Sequence, residues 1–75
     1  MHRRIIFEQE PLETVAAEFN RYSATTIEIE TPSLRALAIS GAFSADDTES
    51  FVDFLKSLDG VRVEVTPNHV RVYRL

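Results

Sequence analysis

The segment PLETVAAEFNRYS, residues 11–23, decides the fold of this 75-residue chain. Its apolar residues recur at spacings of three, four, seven and ten, which places them on one face of an α-helix. Pro11 suits the first helical position, because its ring presets φ and its missing N–H would have had no intrahelical partner. Glu10 before it is an imperfect cap, although its charge suits the positive end of the helix dipole. The apolar stripe, predicted to lie in the core, consists of Leu12, Val15, Ala16, Phe19 and Tyr22.

A second amphipathic helix is predicted over residues 48–58. Either Asp46 or Asp47 can cap its first turn, and Glu49, three residues after Asp46, fits a variant of the capping box. Gly60 supplies the left-handed residue that commonly follows a helix. The apolar stripe of this helix consists of Phe51, Phe54, Leu55 and Leu58, with Val52 beside it.

Alternation of apolar and polar residues predicts three short strands, over residues 4–8, 26–30 and 37–43. Between the second and the third, residues 33–36 are expected to form a single helical turn. Each strand has an apolar side that can pack on the helix stripes.

The third strand is unusual because its other side carries only Ala38, Ser40 and Ala42, and because Gly41 lies in mid-strand. We favour close packing of this side against a helix, since a strand glycine often permits such an approach. The alternative is a flat face or edge that is open to a partner strand. Ser40 and Gly41 are therefore candidate contact residues.

The last predicted element is a hairpin in which Pro67 and Asn68 form a two-residue turn. One register gathers the valines on a single face, and a shift by one residue would move them into water. Pro67 at the first turn position favours a type I turn. The predicted cross-strand pairs are Thr66–His69, Val65–Val70, Glu64–Arg71, Val63–Val72 and Arg62–Tyr73.

The order β-α-β-β-α-β-β predicts a single α+β domain over residues 1–75. The chain has no cysteine, which excludes disulfides and thiol-ligated metals. Its net charge of −4 argues against a nucleic-acid-binding surface. No apolar run approaches the roughly 20 residues that cross a bilayer, so no direct membrane insertion is expected. Met1 to Arg4 leads into a strand rather than into a signal peptide, and we expect a module cut from a longer protein.

Residues typical of catalysis or ligand binding are sparse. His2 and His69 are expected to be surface residues, because neither has a carboxylate beside it at ligand spacing. The acidic group at Asp46, Asp47, Glu49 and Asp53 lacks the spacing of a calcium loop. Two glycines cannot build a phosphate-binding loop, and no serine lies in a GxSxG turn. We therefore predict no metal, no cofactor and no enzyme activity.

The remaining candidates for a functional site are features of the surface. The polar face of the hairpin carries Arg62, Glu64, Arg71 and Tyr73, and it is a candidate docking surface. The commoner alternative is a face that is simply solvated.

Several segments together resemble the C-terminal periplasmic domain of FecR-type sigma-factor regulators, a region similar to the STN domain (secretin and TonB, N-terminal short). The most specific pieces are Pro11-Leu12, the block 19–22 (FNRY) and the run 39–43 (ISGAF). Asn-Arg-Tyr at the end of the first helix distinguishes FecR-like proteins from the STN domains of transporters and secretins. The likeness spans FEQEPLETVAAEFNRYS (7–23), IEIETPSLRALAISGAFSADDTESFVDFLKSL (27–58), VRVEV (61–65) and VRVYRL (70–75).

The resemblance implies a fold in which two helices pack between two small sheets. It also implies a periplasmic location, as the last module of a regulator with a cytoplasmic anti-sigma segment and one transmembrane helix. The implied partners are the N-terminal signalling domain of a TonB-dependent outer-membrane transporter, often a siderophore or iron-complex receptor, and the rest of the regulator's own periplasmic region. Arrival of the ligand would be relayed to an extracytoplasmic-function sigma factor.

Asn20 and Arg21 match the family's Asn-Arg-Tyr block, so the resemblance makes them candidate partner contacts. From the residues alone they are helix-end residues: Asn20 can bond a nearby carbonyl, and Arg21 suits the negative helix terminus. Two alternatives stay open. One is an STN signalling domain of a TonB-dependent transducer or secretin, and the other is a ferredoxin-like small-ligand sensor, which shares the β-α-β-β-α-β order.

Overall fold

A computed structural model of the chain describes residues 4–75, and the prediction for His2 lies outside them. The predicted β-α-β-β-α-β-β order and the α+β class are confirmed. The elements are β1 (Arg4–Pro11), α1 (Leu12–Tyr22), β2 (Thr26–Ile29), a 3₁₀ turn (Pro32–Leu34), β3 (Ala38–Ser44), α2 (Thr48–Lys56), β4 (Val61–Thr66) and β5 (His69–Arg74).

The strands form two separate sheets with both helices between them. β1 pairs antiparallel with β3 in a two-stranded sheet, and the second sheet has the order β2-β5-β4. In that second sheet β2 runs parallel to β5, whereas β4 runs antiparallel to it. Each helix contacts strands of both sheets. This arrangement confirms the architecture that the resemblance implied, and it differs from the single sheet of a ferredoxin-like sensor.

The helix stripes meet in a cluster of aromatic rings. Phe19 of α1 stacks on Phe51 of α2, with ring centroids 4.5 Å apart. Phe43 of β3 lies edge-on to Phe51 at 5.2 Å and to Phe19 at 6.2 Å. Within residues 4–75 every buried side chain is apolar. The predicted stripes are therefore confirmed, except at Tyr22, which is 42% exposed because it is the last residue of α1.

The start of α1 differs from the prediction by one residue. Pro11 is the N-cap, with φ −59° and ψ 140°, because it is still part of β1 and pairs with Ala38 of β3. Leu12 N–H donates to the Leu37 carbonyl at 2.8 Å, and Glu13 N–H donates to the Arg35 carbonyl at 3.0 Å. These two backbone bonds satisfy donors that a side-chain cap normally serves. The prediction that Glu10 is the cap is wrong.

Asp47 caps α2. Its Oδ1 accepts from Ser50 N–H at 3.2 Å, and Ser50 Oγ lies 2.6 Å from its Oδ2. The residue three positions after the cap is therefore Ser50 and not Glu49, because the cap is Asp47 rather than Asp46. The helix ends at Lys56, two residues earlier than predicted, and Gly60 has the expected positive φ of 78°.

All five predicted hairpin pairs between β4 and β5 are confirmed. Neither Pro67 nor Asn68 has a positive φ, so the turn is not of a primed type. The valine face is only partly covered, however. Val70 and Val72 are fully buried, whereas Val65 near the turn is 54% exposed.

We expect Phe51→Ala to lower the free energy of unfolding by about 3–5 kcal/mol, because it empties the centre of the aromatic cluster. For a domain this small, such a loss is a large part of the total stability. Urea unfolding followed by circular dichroism measures it. Ile6→Ala is the control, since Ile6 is 69% exposed and its truncation is expected to change little. Equal losses from both variants would contradict this description of the core.

The contacts that Ser50 makes with Asp47 lower the pKa of the Asp47 carboxyl from its ordinary value of 3.8. A lowered pKa means that the cap stabilises the fold above that value, and that the contribution is lost as the pH falls through the folded-state pKa. We expect Ser50→Ala to raise the pKa of Asp47 toward its ordinary value. A carbon-detected NMR titration of the side chain measures the change. An identical titration in both proteins would show that Ser50 does not stabilise the charged cap.

Candidate functional site

Asn20 joins the end of α1 to β2 through two hydrogen bonds. Ile27 N–H donates to Asn20 Oδ1 at 2.8 Å, and Asn20 Nδ2 donates to the Ile27 carbonyl at 3.1 Å. The predicted bond from Asn20 to a nearby carbonyl is thus confirmed. The side-chain amide offers one donor and one acceptor to the same residue, as a neighbouring β-strand would.

These two hydrogen bonds lie on the outer edge of β2. Thr26 N–H donates to the Asn68 carbonyl at 3.1 Å and Glu30 N–H donates to the Val72 carbonyl at 2.9 Å, so these residues face β5. Ile27 is offset by one residue from Thr26 and therefore points its backbone groups away from β5. Asn20 covers that exposed position of the edge.

Arg21 lies on the surface beside Asn20. Its Nη1 is 3.2 Å from Glu18 Oε1, and its guanidinium lies 6.0 Å from the centre of the Tyr22 ring. The pair with Glu18 is exposed, and such pairs contribute little to stability. Arg21 is thus available for contact, and its partner role stays a prediction.

Ser40 lies opposite an irregularity in β1. The pairing register shifts between Phe7 and Glu10, and Gln9 adopts a φ of +51°. Gln9 N–H donates to Ser40 Oγ at 3.0 Å, which replaces the ladder bond lost at this β-bulge. Ser40 therefore has a structural role of its own, whatever it contacts outside the domain.

The favoured expectation for the small-residue side of β3 is wrong. Ala38, Ser40 and Ala42 are all exposed, so this side does not pack closely on a helix. Gly41 is required for a different reason: its φ is +147°, and a Cβ there would lie 3.2 Å from the ring of Phe43. The small side chains leave this face of the two-stranded sheet flat and open.

The three other candidate residues lie on the polar face of the second sheet, as predicted. Arg62 and Tyr73 are cross-strand neighbours, and Arg71 pairs in register with Glu64 on one side and Glu28 on the other. Glu64 Oε2 binds Arg62 Nη2 at 3.1 Å. Two arginines and a tyrosine thus share one face with interspersed carboxylates.

His69 on this face has a carboxylate beside it, contrary to the expectation from sequence. Its Nε2 lies 2.6 Å from Oε1 of Glu28, which the sequence places 41 residues away. The hydrogen bond from His69 lowers the pKa of Glu28, burial opposes that shift, and the charges of His69 and Arg71 add to the lowering. Local spacing could not reveal this pair, because the parallel pairing of β2 with β5 creates it.

Two surface grooves flank the second sheet. One, of about 390 Å³, lies between α1 and β2, beside Asn20. The other, of about 620 Å³, lies between α2 and the end of β4, and its walls include Val52, Val65 and Pro67. Both are open rather than enclosed. Within residues 4–75, no three histidine, aspartate or glutamate side chains are grouped closely enough to hold a metal ion.

The sequence matches the family described as FecR, C-terminal, over residues 4–72. The chain belongs to this family. The predicted family resemblance is thereby confirmed, and membership supports a role in regulation. No curated protein matches the chain. No helix within residues 4–75 has the length and apolar character needed to span a bilayer.

A solved structure from Parabacteroides distasonis, named as that of a candidate anti-sigma factor, is similar to this FecR C-terminal domain. The TM-score is 0.74 at 16% sequence identity. The match covers 96% of this chain and 34% of the other, so the domain spans about a third of that protein. At this identity the likeness establishes the fold.

We expect Asn20→Ala to destabilise the FecR C-terminal domain by about 1–3 kcal/mol, because Ile27 loses both partners of its backbone groups. Asn20→Asp keeps the acceptor for Ile27 N–H but puts a carboxylate oxygen against the Ile27 carbonyl oxygen, so it is not expected to restore the stability of the parent. Denaturant unfolding measures both.

Arg21→Ala is the matched control on the adjacent residue. Its effect is expected to stay within about 0.5 kcal/mol, as for other exposed positions. If Asn20→Ala were as mild as Arg21→Ala, the edge-covering role of Asn20 would be refuted.

Proposed function

We propose that this domain is the C-terminal periplasmic module of a FecR-type regulator and that it acts by binding other proteins. The observation that carries this proposal is the family match over residues 4–72. The fold agrees with it, because the side chains buried within residues 4–75 are all apolar and the polar groups of that range lie outside the core. Such a domain can present surfaces and edges to partners, and it has no need of chemistry of its own.

The proposed partners are the N-terminal signalling domain of a TonB-dependent outer-membrane transporter and the rest of the regulator's own periplasmic region. Arrival of an iron complex or siderophore at the transporter would change this contact. The regulator would then pass the signal across the inner membrane to a sigma factor. An STN signalling domain of a transducer or secretin is the alternative, and the match to the FecR family favours the first proposal.

Three residues on the polar face of the second sheet suit such a contact. Arginine and tyrosine are enriched among residues that dominate binding energies at protein interfaces. Arg62, Arg71 and Tyr73 lie on neighbouring positions of β4 and β5, and the strand pairing orders the backbone that carries them. A backbone that is already ordered loses little conformational entropy on binding.

Titration of the isotope-labelled domain with the transporter's signalling domain tests the proposal through amide chemical shifts. We expect saturable shifts in the micromolar range. Arg62→Ala is expected to weaken binding about fivefold or more, as for a truncated interface arginine.

Arg4→Ala is the matched control, because it removes the same charge from the other sheet and is expected to leave the affinity unchanged. No shifts at high micromolar concentrations would reject the signalling partner. A loss from Arg4→Ala equal to that from Arg62→Ala would reject the polar face as the contact.

A further inference from the structure

β4 has a free edge with backbone groups that point outward. Leu75 N–H donates to the Gly60 carbonyl at 2.8 Å, next to the pair of Val61 with Arg74. In an antiparallel ladder the residues that bond the partner strand alternate, so Arg62, Glu64 and Thr66 bond β5. The N–H and C=O groups of the intervening Val61, Val63 and Val65 therefore point away from the sheet.

Two other strand edges, those of β1 and β2, are interrupted or covered, whereas this one is regular. Asn20 covers Ile27 on the edge of β2, and a bulge at Gln9 interrupts β1. β4 pairs with β5 without a register shift and contains no proline. Natural proteins usually blunt such an edge, because it is a template for pairing with another strand.

A groove opens at the turn end of this strand. It has a volume of about 620 Å³ and lies between α2, the end of β4 and the segment before β2, and Val70 of the central strand also lines it. Val52 of α2 and Val65 of β4 belong to its lining, and the 54% exposure of Val65 places an uncovered apolar side chain there. A peptide that adds a strand to the open edge of β4 can place a side chain in this groove, as added strands place alternate side chains in pockets.

The charges along the groove indicate the chemistry of its occupant. Glu49 and Asp53 line the α2 wall and are exposed, and Lys56 lies one turn further along the same helix. Two carboxylates against one ammonium favour a segment with a basic residue facing Glu49 and Asp53. The net charge of −4 on the whole chain acts in the same direction.

We infer that the edge of β4 and the groove beside α2 bind an extended, basic segment of the partner protein as an added strand. The backbone of that segment pairs with Val63 and Val65, and an apolar side chain of the segment covers Val65. The inference rests on the proposed function for the identity of the partner, which is the transporter's signalling domain. It adds the place and the mode of binding.

The decisive variant is Val65→Pro. It removes an N–H that points away from β5, so it leaves the ladder intact, and proline is tolerated at such positions of an edge strand. We expect this variant to stay folded by circular dichroism and to bind the signalling domain about tenfold more weakly or worse, through the lost hydrogen bond and the added ring. Val65→Thr keeps the N–H but replaces a methyl with a hydroxyl, so it is expected to lose only the apolar contact and to bind more weakly than the parent but more tightly than Val65→Pro.

Hydrogen exchange of the unaltered domain provides a test that does not depend on how Val65→Pro folds. The amides of Val63 and Val65 are expected to exchange at least about tenfold more slowly in the complex, because they become hydrogen-bonded to the added strand. If the signalling domain binds but leaves both amides unprotected, the proposed function stands and the added strand is refuted. If it does not bind at all, the proposed function itself fails.

The oligomeric state separates the signalling partner from a second copy. Sedimentation of the domain alone is expected to show a monomer. A dimer of the domain alone that Val65→Pro dissociates would overturn the inference, because the edge would then pair with itself.

Discussion

The stacking of Phe19 on Phe51 is the contact on which the rest of the structure depends. Each helix has one apolar stripe, yet each must contact a sheet on both sides. Aromatic rings join the helices to the two-stranded sheet, because Phe43 of β3 contacts Phe19 and Phe51 and in turn contacts Phe7 of β1. A domain of this size buries a smaller fraction of its surface than a large one does, so large rings supply burial that more numerous side chains would supply in a bigger core.

This core does not cover the strand edges, so the backbone groups at those edges need another partner or another form of protection. Two small sheets have more edge for their size than one large sheet, and every edge exposes backbone donors and acceptors. The molecule treats its edges differently: the Asn20 amide covers β2, and the bulge held by Ser40 interrupts β1. β4 differs from both of these strands, because it pairs with β5 without a register shift.

Family membership and the structure assign different roles to Asn20. The Asn-Arg-Tyr block pointed to Asn20 and Arg21 as contacts, yet the structure gives Asn20 a clear task inside the domain. A residue can be characteristic of a family because the fold requires it. The two hydrogen bonds from Asn20 to an edge strand give the fold such a reason to require it. Arg21 and the arginines of the polar face carry no comparable internal task. Surface recognition is therefore better sought at Arg21 and on the sheets than at Asn20.

Periodicity in the sequence determined both helices, the five strands and the whole β4–β5 register, because each depends on which residues alternate within a short segment. Of the candidate site, it placed Arg62, Arg71 and Tyr73 on one face for the same reason. The bonds of Asn20 to Ile27, the Glu28–His69 pair and the groove beside α2 were decided only by tertiary structure. The exposure of Tyr22 and of the small side of β3 belongs with them. Each of these features depends on which distant segment lies beside the residue. The packing of two helices between two sheets determines that neighbour, and the local spacing of residues carries no information about it.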